Sequence, residues 1–142
     1  MDTLTHALSG ALCARATAPA HVPGRTLPVG RRLLVGTFAA AFPDVDNLSQ
    51  AVSPIVYLEW HRGITHSLVL LPLWTLALAW LCSRLWRDGL AWRAYAGVIA
   101  LSIGIHIAGD WITSFGTMFM APLSDRRYAL STTFIIDLVF TG

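Results

Sequence analysis

The ionisable side chains of this 142-residue chain stand at the ends of its apolar runs, and that placement restricts the folds open to it. An imidazole or carboxylate in or beside hydrocarbon is costly unless partnered, so a set of them at run ends marks a functional site by default. Three phrases carry the pattern: Phe42-Pro-Asp44-Val-Asp46, His61-Arg-Gly-Ile-Thr-His66-Ser, and His106-Ile-Ala-Gly-Asp110, which closes the apolar stretch Ala94–Ile107. Charged residues form 13% of the sequence, where soluble domains carry about 25%, and hydrophobic residues form 55%. A water-soluble globule fits this poorly. The expected architecture is all-α: a multi-pass helical membrane bundle, one domain over residues 1–142.

Charge removes other classes. The net charge is +2, all ten basic residues are arginine, and they are scattered, so no nucleic-acid partner is expected. Cys13 and Cys82 lie inside apolar stretches and read as small hydrophobes rather than a disulfide or a zinc knuckle. The opening Met-Asp-Thr-Leu-Thr-His lacks the basic region of a secretory signal.

Along the chain, Thr3–Thr17 reads as a helix whose Ser9, Gly10 and Ala11 allow a neighbour to approach closely. Pro19–Pro28 is a loop, and Leu33–Phe42 is a second apolar run stopped by Pro43. Asp44–Thr65 is the longest polar connection. His66–Cys82 is the strongest span, followed by the hydrophilic turn Ser83–Arg93 and a second span at Ala94–Ile107. The sequence stops at Thr141-Gly142, within the apolar phrase that holds Asp137, so it is expected to be short at its C-terminus.

If every apolar run enters the membrane and returns, His6, Asp44, Asp46, His61, His66, His106, Asp110 and Asp137 all fall on one side. Arginine sorts as well: Arg15, Arg25, Arg31, Arg32, Arg84, Arg87 and Arg93 belong to the opposite side, and Arg62, Arg126 and Arg127 to the His/Asp side. By the positive-inside rule the His/Asp side faces away from the cytoplasm.

His106 and Asp110 are four apart and share one helical face, which suits two ligands on one metal or a mutual hydrogen bond between buried groups. Asp44 and Asp46, just after Pro43, suit either a helix cap or cation binding, and the apolar context favours metal for at least Asp44. His61 and His66 are five apart, so one of them ligates while the other meets substrate, and Thr65 is placed to orient an imidazole. Arg62, Arg126 and Arg127 suit phosphate oxygens or a structural role, and His21 is solvated. Histidine and aspartate together are the ligands of hydrolytic metal centres, where a metal activates water. No nucleophile elbow or phosphate-binding loop is present. Intramembrane His and Asp also mark ion pathways, so a non-catalytic metal-binding or ion-transporting protein is the alternative reading.

The ordered motifs Met1-Asp-x-x-Thr-His6, Pro43-Asp-x-Asp46, His61-Arg-Gly-x-Thr-His66-Ser, His106-x-x-x-Asp110-x-x-Thr113 and Pro122-x-Ser-Asp-Arg-Arg127 span nearly the whole chain. Together they resemble the YdjM-type membrane-bound metal-dependent hydrolases. That resemblance implies a bacterial, multi-pass inner-membrane protein. It is distantly similar in turn to the zinc-dependent phospholipase C and P1-type nuclease group. On that likeness His6, Asp44, His66, His106 and Asp110 are metal ligands, Asp46 and His61 are catalytic, and the cofactor is two or three divalent ions, zinc first. The implied substrate is a phosphoester in a lipid or lipid-linked molecule.

Overall fold

Asp2 starts the first helix by accepting from the Thr5 backbone N–H at 3.0 Å and the Thr5 hydroxyl at 2.6 Å. A cap of this kind is worth about 1 kcal/mol. The computed structural model describes residues 2–86 and 89–132. Over them run α1 (Thr3–Ala16), α2 (Val29–Ala41), a 3-10 stretch (Phe42–Ala51), α3 (Pro54–Trp60), a 3-10 turn (Ile64–His66), α4 (Leu71–Trp86) and α5 (Arg93–Trp111). No strand forms among the described residues, where Thr117 and Tyr128 pair in an isolated antiparallel bridge. Asp137, Arg87 and the last apolar phrase lie outside them.

Three boundaries differ from the sequence reading, each for a physical reason. The second helix begins at Val29, not Leu33, because Arg32 turns back to α1. Its Nε donates to the Ala14 carbonyl at 2.9 Å and its Nη2 to the Thr17 hydroxyl at 2.9 Å, so a polar-looking turn is held as helix. The strongest apolar helix begins at Leu71, not His66. Ser67 accepts from the backbone N–H groups of Val69 and Leu70 and donates to the Ala121 carbonyl, which fixes a bend ahead of α4 and leaves His66 in the preceding turn. The connection after Pro43 is mostly helical, since Ser53 caps α3 through the Ile55 N–H and Pro54 occupies its first position.

Helix α5 is the axis of the molecule. Its buried positions are Tyr95, Val98, Ile99, Ser102, Ile103, His106, Ile107 and Asp110, one continuous stripe at helical spacing. Apolar side chains fill that stripe at one end, and His106 and Asp110 end it at the other. Helices α1, α2 and α4 all pack on α5. Helices α1 and α2 cross at Gly10 and Gly36. A Cβ on Gly36 would lie 2.6 Å from Ala14 Cβ and 2.8 Å from the Gly10 carbonyl oxygen, and one on Gly10 would overlap Ala40 Cβ. Small residues four apart on each helix bring the backbones into contact, as in membrane helix pairs.

The outer surface is apolar. On α1, Leu4, Leu8 and Leu12 point outward at 68%, 57% and 71% exposure, while His6, Gly10 and Ala14 face the interior. Phe38 on α2 and Leu73, Trp80 and Leu85 on α4 are exposed in the same way. A molecule with leucine outside and histidine inside is suited to lipid rather than water. Among the described residues, α5 alone can cross a membrane by length and composition, or two spans form if Pro54–His66 and Leu71–Trp86, bent by 77°, make one. The all-helical expectation therefore holds, while the number of crossings rests on one helix and one bent pair.

Candidate metal centre

At one end of the bundle Asp44, His66, His106 and Asp110 converge, all buried, with one ligand atom from each lying within 4.8 Å of the others. They come from three parts of the fold: Asp44 from the 3-10 stretch near its Pro43, His66 from the turn before α4, and His106 and Asp110 from the last two turns of α5.

The rings are aimed by partners on their outer nitrogens. His106 Nδ1 lies 2.6 Å from the carbonyl oxygen of Ala40, in the last turn of α2. A carbonyl only accepts, so Nδ1 carries the proton and Nε2 turns a lone pair inward. His66 Nδ1 lies 3.0 Å from the Thr65 hydroxyl and 3.3 Å from Asp46 Oδ2, and Thr65 itself donates to that oxygen at 3.1 Å. The same reasoning turns His66 Nε2 inward. The two Nε2 atoms are 2.9 Å apart. Two lone pairs at that distance repel unless a cation lies between them.

Asp110 is held as firmly. Its Oδ1 accepts from Arg62 Nη2 at 2.8 Å and from His6 Nε2 at 3.1 Å. Its Oδ2 faces His66 Nε2 at 3.2 Å and His106 Nε2 at 3.4 Å. Asp44 accepts from the Thr3 hydroxyl at 2.6 Å, and its Oδ1 is the outlying donor, 3.7 Å from His106 Nε2 and 4.0 Å from His66 Nε2. Ligands about 2.0–2.2 Å from a tetrahedral ion stand roughly 3.3–3.6 Å from one another. The five separations, 2.9 to 4.0 Å, bracket that range.

Charge agrees with distance. Asp44, Asp46 and Asp110 are enclosed with the guanidinium of Arg62, which leaves two negative charges to be balanced in a low-dielectric interior. A divalent cation held there would supply that balance. The residues present fit a metal ion.

Asp46 stands behind the centre. Burial alone would raise its carboxyl, but hydrogen bonds from His61 and His66 outweigh that and hold it well below the ordinary carboxylate range. Its Oδ1 takes His61 Nδ1 at 2.9 Å, and its Oδ2 takes the Arg62 backbone N–H at 2.9 Å. His61 also stacks on Tyr57 and meets Phe115 edge-on. Of the expected ligands, His6 arrives beside the group, not within it: Nε2 is on Asp110 and the ring stacks on His106 at 3.7 Å.

Arg62 does not face outward to a phosphate. It is buried, its Nη1 donates to the Thr113 hydroxyl at 2.6 Å, and its φ of 60° is held by bonds at both its backbone N–H and its carbonyl. Arg127 is structural too, donating to the carbonyls of Leu58 and His61 at the end of α3. The sequence reading did not find Thr3 as a partner of Asp44 or the Ala40 carbonyl as a partner of His106. Neither has a signal at sequence level, because both pairings span dozens of residues. Two cavities flank the centre. One, of about 510 Å³, reaches Asp44, and the other, of about 560 Å³, reaches Asp46 and Thr65.

An apolar helical exterior around a buried His/Asp centre defines a membrane protein with a candidate metal site. The chain belongs to the YdjM inner membrane protein family, whose profile matches residues 1–142, and this places it in the inner membrane, in contact with the lipid bilayer. It is also similar to a relative from Bacillus subtilis (strain 168), the uncharacterized protein YfhP, at 24% identity over 131 residues. The match covers 92% of this chain and 40% of the relative, so the chain spans about two fifths of that protein's length. No solved structure matches.

Proposed function

We propose that the protein is a multi-pass, membrane-bound metal-dependent hydrolase that cleaves a phosphoester in a lipid or lipid-linked substrate. The observation that carries the reading is the pair of inward-facing imidazole nitrogens, 2.9 Å apart and flanked by Asp110 and Asp44. His66, His106 and Asp110 form the tight side of the ligand set, and Asp44 is the outlying member, on the side that a cavity reaches. Catalytic zinc sites commonly keep three protein ligands and one open position, and this asymmetry supports an open position next to Asp44. When bound, a divalent ion, zinc by preference, polarises a phosphoryl oxygen and makes water acidic enough to attack near neutral pH. A set of two or three ions would additionally recruit His6, Asp46 and His61.

The chain's own groups do the remaining work. Asp46 holds His61 in one tautomer through Nδ1, so His61 Nε2 is the proton acceptor in a His–Asp pair. Arg62 and His6 fix Asp110 so that Oδ2 stays on the centre. The cavity beside Asp46 has a largely apolar wall with Ser49, Glu59 and Asp125 in it, and on this reading it is the route by which water would enter.

The second reading, a metal-binding or ion-transporting protein without catalysis, is favoured by one observation. Four buried protein donors are enough to close a tetrahedral shell, as in structural sites. Purified protein in mixed micelles with phosphate-headed lipids separates the two. The hydrolase reading expects product release that chelation abolishes and His106→Ala and Asp110→Ala lack. Metal flux into sealed vesicles with no phosphoester turnover would establish the other.

A further inference from the structure

Helices α2 and α4 both pack along α5, and a cavity lies between them with a ring contact towards each end. Near the centre Phe42 meets Trp74 with ring centroids 5.2 Å apart, and at the far end the Arg31 guanidinium lies 5.9 Å from the Trp86 ring. Between these contacts lies the cavity of about 510 Å³, within the range of about 300–1,000 Å³ usual for small-molecule sites. Its floor is Ile99 of α5 and its walls include Val35, Phe38, Leu78 and Cys82. Polar side chains line it at one end, where Thr3 and Asp44 stand. Leu78 to Trp86 alone covers about 12 Å at 1.5 Å per residue. Phe38 at its rim is 69% exposed, on the apolar outer surface of the molecule.

We infer that this groove is the binding site for the hydrocarbon chain of a single-chain or splayed-chain amphiphile with a phosphate head, which is the substrate if the hydrolase reading holds. The chain lies between α2 and α4, and the head reaches the centre beside Asp44. The commitment to one occupant comes from continuity. The residue that ends the apolar length is itself a member of the ligand set, so an occupant must be apolar along its length and ligand-seeking at one tip. A neutral detergent satisfies only the first condition. A soluble phosphoester satisfies only the second and leaves the groove unfilled. Near Asp44 an anionic head is repelled unless a cation is bound, so the inference rests on the metal reading above.

The test is photo-crosslinking of the detergent-purified chain with a dodecyl phosphate carrying a diazirine at mid-chain, followed by peptide mapping. Adducts are expected on the α2 and α4 residues that line the groove, above all Phe38, Leu78 and Cys82. Labelling should saturate, be displaced by unlabelled dodecyl phosphate, and fall at least several-fold after chelation. The same chain with a maltoside head should label these residues far less. Adducts spread equally over Leu4, Leu8 and Leu12 of α1, or equal groove labelling by both head groups, would overturn the inference and leave only ordinary lipid contact. Cys82→Trp fills the groove and should lose the adducts while keeping its metal; if it does not fold, displacement in the wild-type chain decides alone. Groove labelling without phosphoester turnover would sink the hydrolase reading and not this one. Turnover without groove labelling would do the reverse.

Discussion

Asp46 connects two imidazoles, His61 through Oδ1 and His66 through Oδ2, and the second of these belongs to the ligand set. A carboxylate behind a ligating histidine sets its tautomer and raises its basicity, and losing such a partner typically weakens metal binding 10–100-fold. Asp46→Asn should therefore bind its ion about 10–100-fold more weakly in a competitive chelator titration, while circular dichroism stays helical. Asp44→Asn removes the outlying donor and should weaken binding less than Asp110→Asn does. Arg62 is a different case, since it is buried against Asp110 with Thr113 on its other nitrogen. Arg62→Met leaves a buried carboxylate without its cation, a loss of about 3–5 kcal/mol, to be read as a lower thermal midpoint in detergent. Lysine should not restore it, because a point charge cannot replace the two-pronged fork. At this scale the spacing of His106 and Asp110 already told which face they share. The inward placement of Arg62 was not legible, because what holds it lies 48 to 51 residues away.

The elements owe their arrangement to small residues as much as to apolar ones. Gly10 and Gly36 meet where α1 and α2 cross, and Gly36 also faces Ser102 of α5, whose Oγ would lie 3.3 Å from an added Cβ. Gly36→Val should push α2 away from both neighbours and displace the Ala40 carbonyl from His106, so metal content should fall together with thermal stability. Gly97 and Gly104 of α5 have open space where a Cβ would point, and alanine at either should leave both properties unchanged. Should Gly36→Val match the Gly104→Ala control in both assays, the close crossing would not be what positions the centre. The small-residue spacing of α1 was readable, and so was the loop from Pro19 to Pro28. The turn that holds His66 ahead of α4 was not. Ser67 builds it with a carbonyl from Ala121, and a run of apolar residues gives no sign of a bend made by so distant a partner.

For the whole molecule, alternation along the chain gathers His6, Asp44, Asp46, His61, His66, His106 and Asp110 at one end of the bundle. The ends of α1 and α4 and the starts of α2 and α5 lie at the other, with Arg15, Arg31, Arg32, Arg84 and Arg93. The same asymmetry that the sequence shows in its arginines is therefore an asymmetry of the fold, and the positive-inside rule predicts from it a centre that faces away from the cytoplasm. In a cysteine-free background, Asp125→Cys should react with a membrane-impermeant maleimide from the outer side of the inner membrane and Arg25→Cys should not. The reverse labelling would invert the orientation. The inside-out distribution, with leucines on the surface and imidazoles within, was legible only as a contradiction in the sequence, a lipid-suited composition that carries side chains of metal-ligating type. The fold resolves it by closing three helices of modest length around a fourth. The most direct test is elemental analysis of the detergent-purified chain, wild type beside His106→Ala, with helical content checked in both. A stoichiometric divalent metal in the first and its loss from the second is the expected result. Trace metal in a well-folded wild type, or equal metal in the two, would contradict the account.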